Sequence, residues 1–263
     1  MLDRSRILVV VPAFEEEAHV ERVITSMPKF VDAIVLVDDG SGDETSHRAA
    51  HVGDRRLTIV RHERRRGVGA AIATGYREAV RRSAMPYDVI CVMAGDGQMD
   101  PEDLRAVALP IVRGAADYVK GDRFSFPGVA RTMGIGRFIG GRVFAGLTSA
   151  AIGQRISDSQ CGFTALSRHA ATVLDLEGLW PSFGYPNDLL GQLAARSLRI
   201  AEVAVRPVYG TEQSKLRLHH LPPIFMLIGR AALRRRLNFR PTAVTPMGDD
   251  DEKGLRPSAG VSC

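Results

Sequence analysis

Three oxygen-bearing side chains, Asp96, Gln98 and Asp100, occupy every second position directly after a short apolar run. The run, residues 89–93, has the length of a buried strand, and the Gly-Asp-Gly sequence around Asp96 favours a turn where it ends. Carboxylate and amide oxygens spaced in this way suit Mg²⁺ or Mn²⁺, which keep several waters and take further ligands from substrate phosphates. The segment therefore indicates a metal site, and an ordinary turn is the alternative for this motif alone.

Polar groups also follow three earlier apolar runs of strand length. The segment Pro12–Glu16 follows residues 7–11, and Asp38 and Asp39 follow residues 33–37. Three arginines and Gly67-Val68-Gly69 follow residues 57–60. Neighbouring carboxylates at a buried strand end are costly unless they bind a ligand or accept backbone hydrogen bonds. Arginines before a glycine-rich helix start can hold a phosphate with guanidinium and backbone N–H groups. The alternatives are a capped loop after the second run and a common glycine turn after the third.

The elements that must position these groups alternate between strand and helix over the first 125 residues. A fifth predicted strand covers residues 116–120, and Asp100 is expected to cap a helix from Pro101 to Arg113. This alternation predicts an α/β fold with a mostly parallel central sheet covered by helices. Because ligands bind beyond the carboxyl ends of such strands, the acids, the arginines and Asp96 would meet as a nucleotide-diphosphate site at one edge.

The chain changes character after Pro127. We expect an amphipathic helix at residues 134–150 with a basic edge, then two shorter helices, at residues 168–174 and 189–196, and strands at 164–166 and 200–205. The predicted organisation is one α/β domain at 1–217, a C-terminal amphipathic basic helix at 218–240 and a disordered tail at 241–263. The basic helix has an apolar patch beside dense arginines, which fits a helix lying on anionic lipid or one packed on the domain with a solvated basic face.

Composition sets broad limits on function. The 263 residues are 45% hydrophobic and 25% charged with a net charge of +5, which favours polyanionic partners or simply a soluble basic surface. No basic patch is interleaved with aromatic residues, so a nucleic-acid-binding role is disfavoured.

Cys91, Cys161 and Cys263 are far apart without metal-ligand spacing, and we expect reduced thiols in the cytosol with Cys91 in the core. We expect neither a signal peptide nor a transmembrane helix.

Taken in order, these motifs resemble the inverting family 2 glycosyltransferases of GT-A fold. The branch they resemble most transfers a hexose to polyprenyl (dolichol) phosphate, and the resemblance extends from about Ile7 to Leu216. The segments that carry it are Val10–Glu17, Val37–Thr45, Met93–Glu102, Gly121-Asp122-Arg123, Asp158–Phe163 and Ser214-Lys215. Each segment is short, but their order and spacing together are highly specific.

The resemblance implies roles for two groups of residues. Pro12, Ala13 and Glu16 would line the nucleoside pocket of the nucleotide sugar, and Asp39, supported by Asp38, would bind the base. Arg66 and Gly69 would contact the base and the diphosphate. Asp96 with Gln98 would bind the diphosphate through Mg²⁺ or Mn²⁺. Donor or acceptor phosphate and the acceptor itself would be contacted by Arg123, Asp158, Gln160, Asn187, Asp188, Arg206, Ser214 and Lys215.

The sequence departs from the family pattern at three positions. Ala94 stands where the first acid of the Asp-x-Asp motif is expected, which removes one carboxylate from the metal site. Glu15 replaces an asparagine, and Asn187 replaces the first member of an acidic pair, which leaves Asp188 as its only carboxylate. The transmembrane helices carried by some members are also missing from this sequence.

The resemblance implies a metal-dependent transferase whose catalytic residues are Asp96, Arg123 and Asp188. A polyprenyl phosphate is already an anion and needs no strong base, whereas a hydroxyl acceptor would require one, for which Asp188 is the candidate. The alternatives are a soluble transferase acting on a glycan or small-molecule hydroxyl, and a nucleotide-sugar-binding protein without turnover, suggested by Ala94. The expected partners are a nucleotide-diphosphate sugar, a polyprenyl phosphate, an anionic membrane surface and a possible second copy. The expected location is the cytoplasm, peripheral at the inner face of the membrane.

Overall fold

The apolar runs form one seven-stranded sheet in the computed structural model, which describes residues 1–129, 133–208 and 221–237. The strands are β1 (Ile7–Ala13), β2 (Ala33–Asp38), β3 (Leu57–Arg61), β4 (Val89–Val92), β5 (Tyr118–Asp122), β6 (Thr164–Ser167) and β7 (Ile200–Ala204). Every residue of β1, β2, β4, β5 and β6 is buried. This explains why β1, β2 and β4 are nearly continuous apolar runs rather than alternating ones.

The strand order is β3-β2-β1-β4-β6-β5-β7, and only β6 runs against its neighbours within this described sheet. The pairs β1–β2, β1–β4, β2–β3 and β5–β7 are parallel. Because β4 and β5 are both antiparallel to β6, they point the same way, and six carboxyl ends share one edge. The predicted mostly parallel sheet is therefore confirmed, with β6 inserted in reverse.

Helices cover both faces of the sheet. They are α1 (Val20–Thr25), α2 (Thr45–His51), α3 (Val68–Arg82), α4 (Leu104–Val112), α5 (Ile135–Ile152), α6 (Arg168–Val173), α7 (Tyr185–Ala195) and α8 (Leu221–Leu237). Successive residues of β1 face opposite sides of the sheet. Val10 belongs to the core that includes residues of α3, α6 and α7, whereas Val9 and Val11 belong to the core that includes residues of α1 and α4. Cys91 lies in the second of these cores, as predicted, and burial raises the pKa of its thiol to about 12.

Two helix starts show how well local signals place boundaries. Asp100 caps as expected, since its carboxylate accepts from the Glu102 N–H at 3.0 Å, although Pro101–Asp103 form a 3₁₀ turn before α4 begins. Helix α7 begins at Tyr185, four residues before the predicted Leu189, so the prediction was wrong there. Pro186 fits the first turn because its ring presets the helical φ and its missing N–H is not needed at that position.

The helices α5, α7 and α8 pack together beside the sheet. Thr148 of α5 donates to the Asn187 side chain of α7 at 2.9 Å, and Ala231 of α8 lies against Gly191 of α7. Helices therefore occur at Ile135–Ile152, where one was predicted at 134–150, and at Leu221–Leu237, inside the predicted range 218–240. That the second helix is a separate amphipathic element stays a prediction. None of the helices described here is long and apolar enough to cross a membrane. The predicted tail, residues 241–263, lies outside the described residues.

Candidate active site at the carboxyl edge of the sheet

Two buried carboxylates at the end of β2 organise the neighbouring loops. Asp39 accepts from the His62 ring at 2.7 Å, from Arg66 N–H at 2.8 Å and from Gly67 N–H at 2.7 Å. Asp38 accepts from the Ser41 N–H at 2.8 Å and from the hydroxyl of Ser46. The cost of burying these acids is offset by hydrogen bonds, as expected for paired carboxylates at a strand end. Their predicted contact with a nucleoside stays a prediction.

The glycine-rich start of α3 is closed by the loop before α7. Gly69 and Ala70 donate their N–H groups to the Pro181 carbonyl at 2.8 and 3.2 Å. A Cβ on Gly69 would lie 2.0 Å from the Trp180 carbonyl oxygen, so the close approach requires glycine. The expectation that these backbone N–H groups hold a phosphate is therefore wrong, because protein oxygens already satisfy them. A phosphate contact through the Arg66 side chain stays a prediction.

The loop after β4 lies against the end of β1. Gly95 donates to the Pro12 carbonyl at 3.0 Å, and Asp39 donates its N–H to the Ala13 carbonyl at 2.9 Å. Half-buried Asp96 accepts from the Gln98 N–H at 3.0 Å through one carboxylate oxygen. Three of the predicted strand-end segments are thus joined at one place on the sheet edge.

Glu16 belongs to the same group of segments. Its side chain is buried, and its N–H donates to the Thr45 hydroxyl at 2.8 Å. The hydroxyl of Thr45 donates in turn to Asp43 at 2.6 Å, and Asp43 also accepts the Thr45 N–H at 3.1 Å. The loop after β1 is therefore tied to the start of α2, on the side where a nucleoside would lie.

The side-chain oxygens of Asp96 and Gln98 could bind a metal ion only together with oxygens from a bound ligand. Within residues 1–129, 133–208 and 221–237, no three His, Cys, Asp or Glu side chains are grouped to hold an ion. Ala94 offers no oxygen from its side chain, which leaves the Asp96 carboxylate and the Gln98 amide. Mg²⁺ commonly binds one or two carboxylates together with waters and substrate phosphates, and this set is compatible with that chemistry. A diphosphate would have to complete the coordination.

The chain after β7 brings a basic group to this loop. Arg206 donates to the Asp100 carboxylate at 3.1 Å, and its N–H donates to Asp103 at 2.6 Å. Val208 also donates its N–H to the Gln98 carbonyl at 3.1 Å. Arg206 is about half exposed, with 54% of its side-chain surface open. The structure thus places Arg206 beside the candidate metal loop, and its predicted phosphate role stays a prediction.

A bidentate ion pair joins the end of β5 to the loop before β6. Arg123 donates to the two carboxylate oxygens of Asp158 at 2.7 and 3.0 Å, and the Asp158 side chain is only 1% exposed. Burial alone would raise the pKa of Asp158, but the guanidinium of Arg123 holds it below its usual value. Gln160 donates its N–H to the same carboxylate at 3.1 Å. Asp158 therefore orients Arg123 at the sheet edge.

Sequence reasoning missed two charged residues beneath this ion pair. Lys120 of β5 is fully buried and donates its ammonium to the Cys161 carbonyl at 2.6 Å, and burial lowers its pKa. Glu202 of β7 accepts the Ser157 N–H at 2.8 Å. Both residues support the loop that carries Asp158. The available signal was Lys120 at the end of a run predicted to be a buried strand, where an unpaired charge would be costly.

Asp188 is buried and already paired. Its side chain is 1% exposed, and it accepts from Arg234 of α8 at 2.7 Å and from the Trp180 N–H at 3.0 Å. Arg230 lies at 4.0 Å from the same carboxylate. The predicted loop position was wrong, because Asp188 lies in the first turn of α7. Ser214 and Lys215 lie outside the described residues, so their predicted phosphate roles stay predictions.

Comparison with known proteins identifies the family to which the chain belongs. A solved glucosyl-3-phosphoglycerate synthase from Mycobacterium tuberculosis, in complex with Mn²⁺, UDP and phosphoglyceric acid, superposes with a TM-score of 0.65 at 22% identity, covering 88% of this chain and 78% of that one. The likeness shows the GT-A fold. Residues 8–174 match the family described as Glycosyl transferase family 2. The chain belongs to the family 2 glycosyltransferases.

Two curated relatives resemble the chain over most of its length. A UDP-N-acetylglucosamine–dolichyl-phosphate N-acetylglucosaminyltransferase from Methanococcus voltae is 27% identical over 226 residues, which cover 80% of this chain and 88% of the relative. A dolichyl-phosphate β-glucosyltransferase from Trichomonas vaginalis is 24% identical over 216 residues, covering 74% of this chain and 62% of the relative. These similarities confirm the resemblance to the polyprenyl-phosphate branch.

Proposed function

We propose that the protein transfers a hexose, with inversion, from a nucleotide-diphosphate sugar to a polyprenyl phosphate. The observation that supports a phosphate acceptor is that the Asp188 carboxylate is already hydrogen-bonded within the protein. This carboxylate would be the base for a hydroxyl acceptor, but Arg234 and the Trp180 N–H already hold it. A phosphate acceptor is an anion and needs no base to attack. The names of the curated relatives, which act on dolichyl phosphates, support the same acceptor class.

The proposed reaction is an in-line displacement at the anomeric carbon. A phosphate oxygen of the acceptor forms the new bond, while the bond to the nucleoside diphosphate breaks and its electron pair leaves with the diphosphate. Arg123, oriented by Asp158, and Arg206, beside the Asp96 loop, would balance the negative charge of the two phosphate groups. Asp158 thereby acts as a positioning residue, since it holds the guanidinium of Arg123 in one orientation.

The metal would be Mg²⁺ or Mn²⁺ held by Asp96 with Gln98 and the donor diphosphate. When bound, such an ion neutralises charge on the departing diphosphate. Solved proteins of the same fold, such as the mycobacterial synthase, bind Mn²⁺ together with UDP, which supports this choice. Pro12, Ala13, Glu16 and Asp39 border the proposed nucleoside pocket. We further propose a cytoplasmic protein held peripherally at the inner face of a membrane; a homo-oligomer stays a prediction.

The test is a transfer assay with purified full-length chain. UDP-glucose, UDP-N-acetylglucosamine and GDP-mannose are each supplied with Mn²⁺ and a short-chain polyprenyl phosphate in detergent, and mass spectrometry detects a lipid-linked sugar. We expect product with one donor, and Asp96→Ala is expected to slow transfer by on the order of a hundredfold. The matched control is Glu21→Gln, which neutralises an exposed carboxylate on α1 and should leave the rate unchanged.

Two other outcomes would overturn the proposal. Transfer to glycerol or sugar hydroxyls, with no lipid product, would identify a soluble transferase acting on hydroxyl acceptors. Donor binding in a thermal-shift assay, with no turnover on either acceptor class, would identify a nucleotide-sugar-binding protein. Each outcome is distinct because binding, lipid product and soluble product are measured separately.

A further inference from the structure

Lys120 is a fully buried lysine that the proposed reaction does not use directly. It lies in β5, three residues before Arg123, and none of its surface is exposed. Burying an ammonium group is costly unless hydrogen bonds and nearby negative charges compensate it. A methionine of similar length would fill the same space without that cost. Packing alone therefore does not explain a lysine here, and the contacts of its ammonium group must.

Three charged side chains interact electrostatically with Lys120. Burial lowers the pKa of Lys120, while the negative charges of Asp158 and Glu202 act in the opposite direction and the positive charge of Arg123 adds to the lowering. We call these four residues the β5 charge cluster: Lys120, Arg123, Asp158 and Glu202. The cluster has two positive and two negative members, so it carries no net charge. Removing one member would leave a charge at this buried place without a partner.

The β5 charge cluster holds the loop 157–161 at both of its ends. The ammonium group of Lys120 donates to the Cys161 carbonyl at 2.6 Å. The carboxylate of Glu202 accepts the Asp158 N–H at 3.3 Å and the N–H before it at 2.8 Å. The backbone of Asp158 is thus fixed on one side by Glu202 and, three residues later, by Lys120. Its carboxylate can then hold a guanidinium in a single orientation.

The same loop is packed tightly between β5 and the candidate metal loop. A Cβ on Gly121 of β5 would lie 3.1 Å from the Cys161 sulfur. On the other side, a Cβ on Gly162 would lie 3.2 Å from the terminal methyl group of Met99. The sulfur of Met99 accepts the Ala94 N–H at 3.3 Å, so this residue belongs to the candidate metal loop. Movement of the loop that Lys120 holds would therefore disturb groups on both sides of the site.

We propose that Lys120 is a positioning residue of the transferase: through the loop 157–161 it keeps Arg123 in one orientation toward a phosphate group of the substrates. The inference rests on the proposed function, in which Arg123 balances phosphate charge. Lys120 is fully buried, so it acts through the loop and touches no substrate. A group that is misplaced by about 1 Å can cost on the order of a hundredfold in rate. Loss of Lys120 should therefore slow transfer without weakening the contacts to the nucleoside.

The test compares two variants of the full-length chain in the transfer assay with a short-chain polyprenyl phosphate. Lys120→Met removes the donor to the Cys161 carbonyl but leaves an unbalanced negative charge. Lys120→Met together with Glu202→Gln also removes the donor, keeps the cluster neutral and should fold as the wild type does. Both should lower kcat at least about tenfold, while the KM for the nucleotide sugar changes by less than about twofold. The matched control is Lys29→Met, an exposed lysine before β2, which should leave both constants unchanged.

A spectroscopic measurement separates positioning from transfer. The Nε–H of Arg123, which donates to Asp158 at 2.7 Å, gives an arginine side-chain resonance in proton–nitrogen correlation spectra, and Arg123→Lys identifies it. We expect this resonance to shift or broaden in both Lys120 variants and to be unchanged in the control. A wild-type kcat in the double variant, a loss confined to the KM for the donor, or an unmoved Arg123 resonance would overturn the inference. A displaced resonance in the variants, with no transfer even by the wild type, would instead contradict the proposed function alone.

Discussion

At the scale of single residues, the carboxylates of the site divide by what they already contact. Asp39 and Asp158 accept several hydrogen bonds and hold other residues in place, whereas one oxygen of Asp96 accepts only from the neighbouring Gln98 N–H in the described part of the chain. This division assigns positioning to the saturated acids and ligand contact to Asp96. In the proposed metal site, diphosphate oxygens would take the place of the carboxylate that Ala94 lacks.

Asp158→Asn should destabilise the protein by about 3–5 kcal/mol near pH 7, because the half-buried Arg123 and the buried Lys120 lose their counter-charge. The pKa of Asp158 in the folded protein lies below its ordinary value of 3.8, so its stabilisation is complete above that value. It is lost as the pH falls through the folded pKa. The difference between wild type and variant, measured by urea unfolding, should therefore shrink in acid below the ordinary value.

The control for this experiment is again Glu21→Gln, an exposed carboxylate whose neutralisation should change the free energy of unfolding by less than about 0.5 kcal/mol. A difference between wild type and Asp158→Asn that stays constant into strong acid would show that the shape of the side chain, rather than its charge, stabilises the loop.

At the scale of elements, close packing of helices on the sheet fixes where the loops of the site begin. Helix α3 approaches β1 so closely that a Cβ on Gly75 would lie 2.1 Å from a methyl group of Val10. At its other end the same helix meets the Trp180–Pro181 segment through Gly69. The small residues of α3 therefore set the distance between the β3 loop, the β1 edge and the start of α7. Their position predicts which glycines tolerate a methyl group.

Gly75→Ala should lower the free energy of unfolding by about 1–3 kcal/mol, because the added methyl group forces the buried Val10 or the helix to move. Gly146→Ala is the matched control, since a Cβ there meets nothing within 4 Å on the exposed side of α5. That change should stabilise by about 0.5–1 kcal/mol, as expected for alanine replacing glycine within a helix. Denaturant titration measures both, and equal effects would contradict the close approach.

At the scale of the whole molecule, a deeply buried ion pair and apolar packing join α8 to the transferase body. Arg234 is only 23% exposed and reaches Asp188, which is 1% exposed, across a large separation in sequence. Leu227 and Ala231 of α8 pack against Gly184 and Gly191 of the loop and helix around it. The same ion pair thus occupies the candidate base and holds α8 against the rest of the protein.

Arg234→Ala should destabilise the protein by about 3 kcal/mol, because Asp188 would keep a buried charge without its closest partner. Arg236→Ala, on the exposed side of the same helix, should change stability by less than about 0.5 kcal/mol. Adding Asp188→Asn to Arg234→Ala should restore part of the loss, since the amide carries no charge. Hydrogen exchange of α8 and denaturant unfolding measure these effects, and a double variant no more stable than the single one would argue against the ion pair.

The sequence by itself determined the elements and the edge on which the site lies. Buried β-branched runs gave the strands, and the turn residues after them placed Pro12, Asp39 and Asp96 at carboxyl ends, because both signals are local. The capping role of Asp100 was predictable for the same reason. The family resemblance was visible because its motifs coincide with these strand ends.

Only the tertiary structure decided which polar groups are already satisfied. The donors at Gly69 and Ala70 are used by Pro181, and Asp188 is used by Arg234, through contacts between segments far apart in sequence. The reversed strand β6 and the pairing of α5 with α8 depend in the same way on which elements find each other. The type of a side chain determines which hydrogen bonds and ion pairs it can make. Whether it is free to bind a substrate depends on neighbours that folding brings to it from elsewhere in the chain.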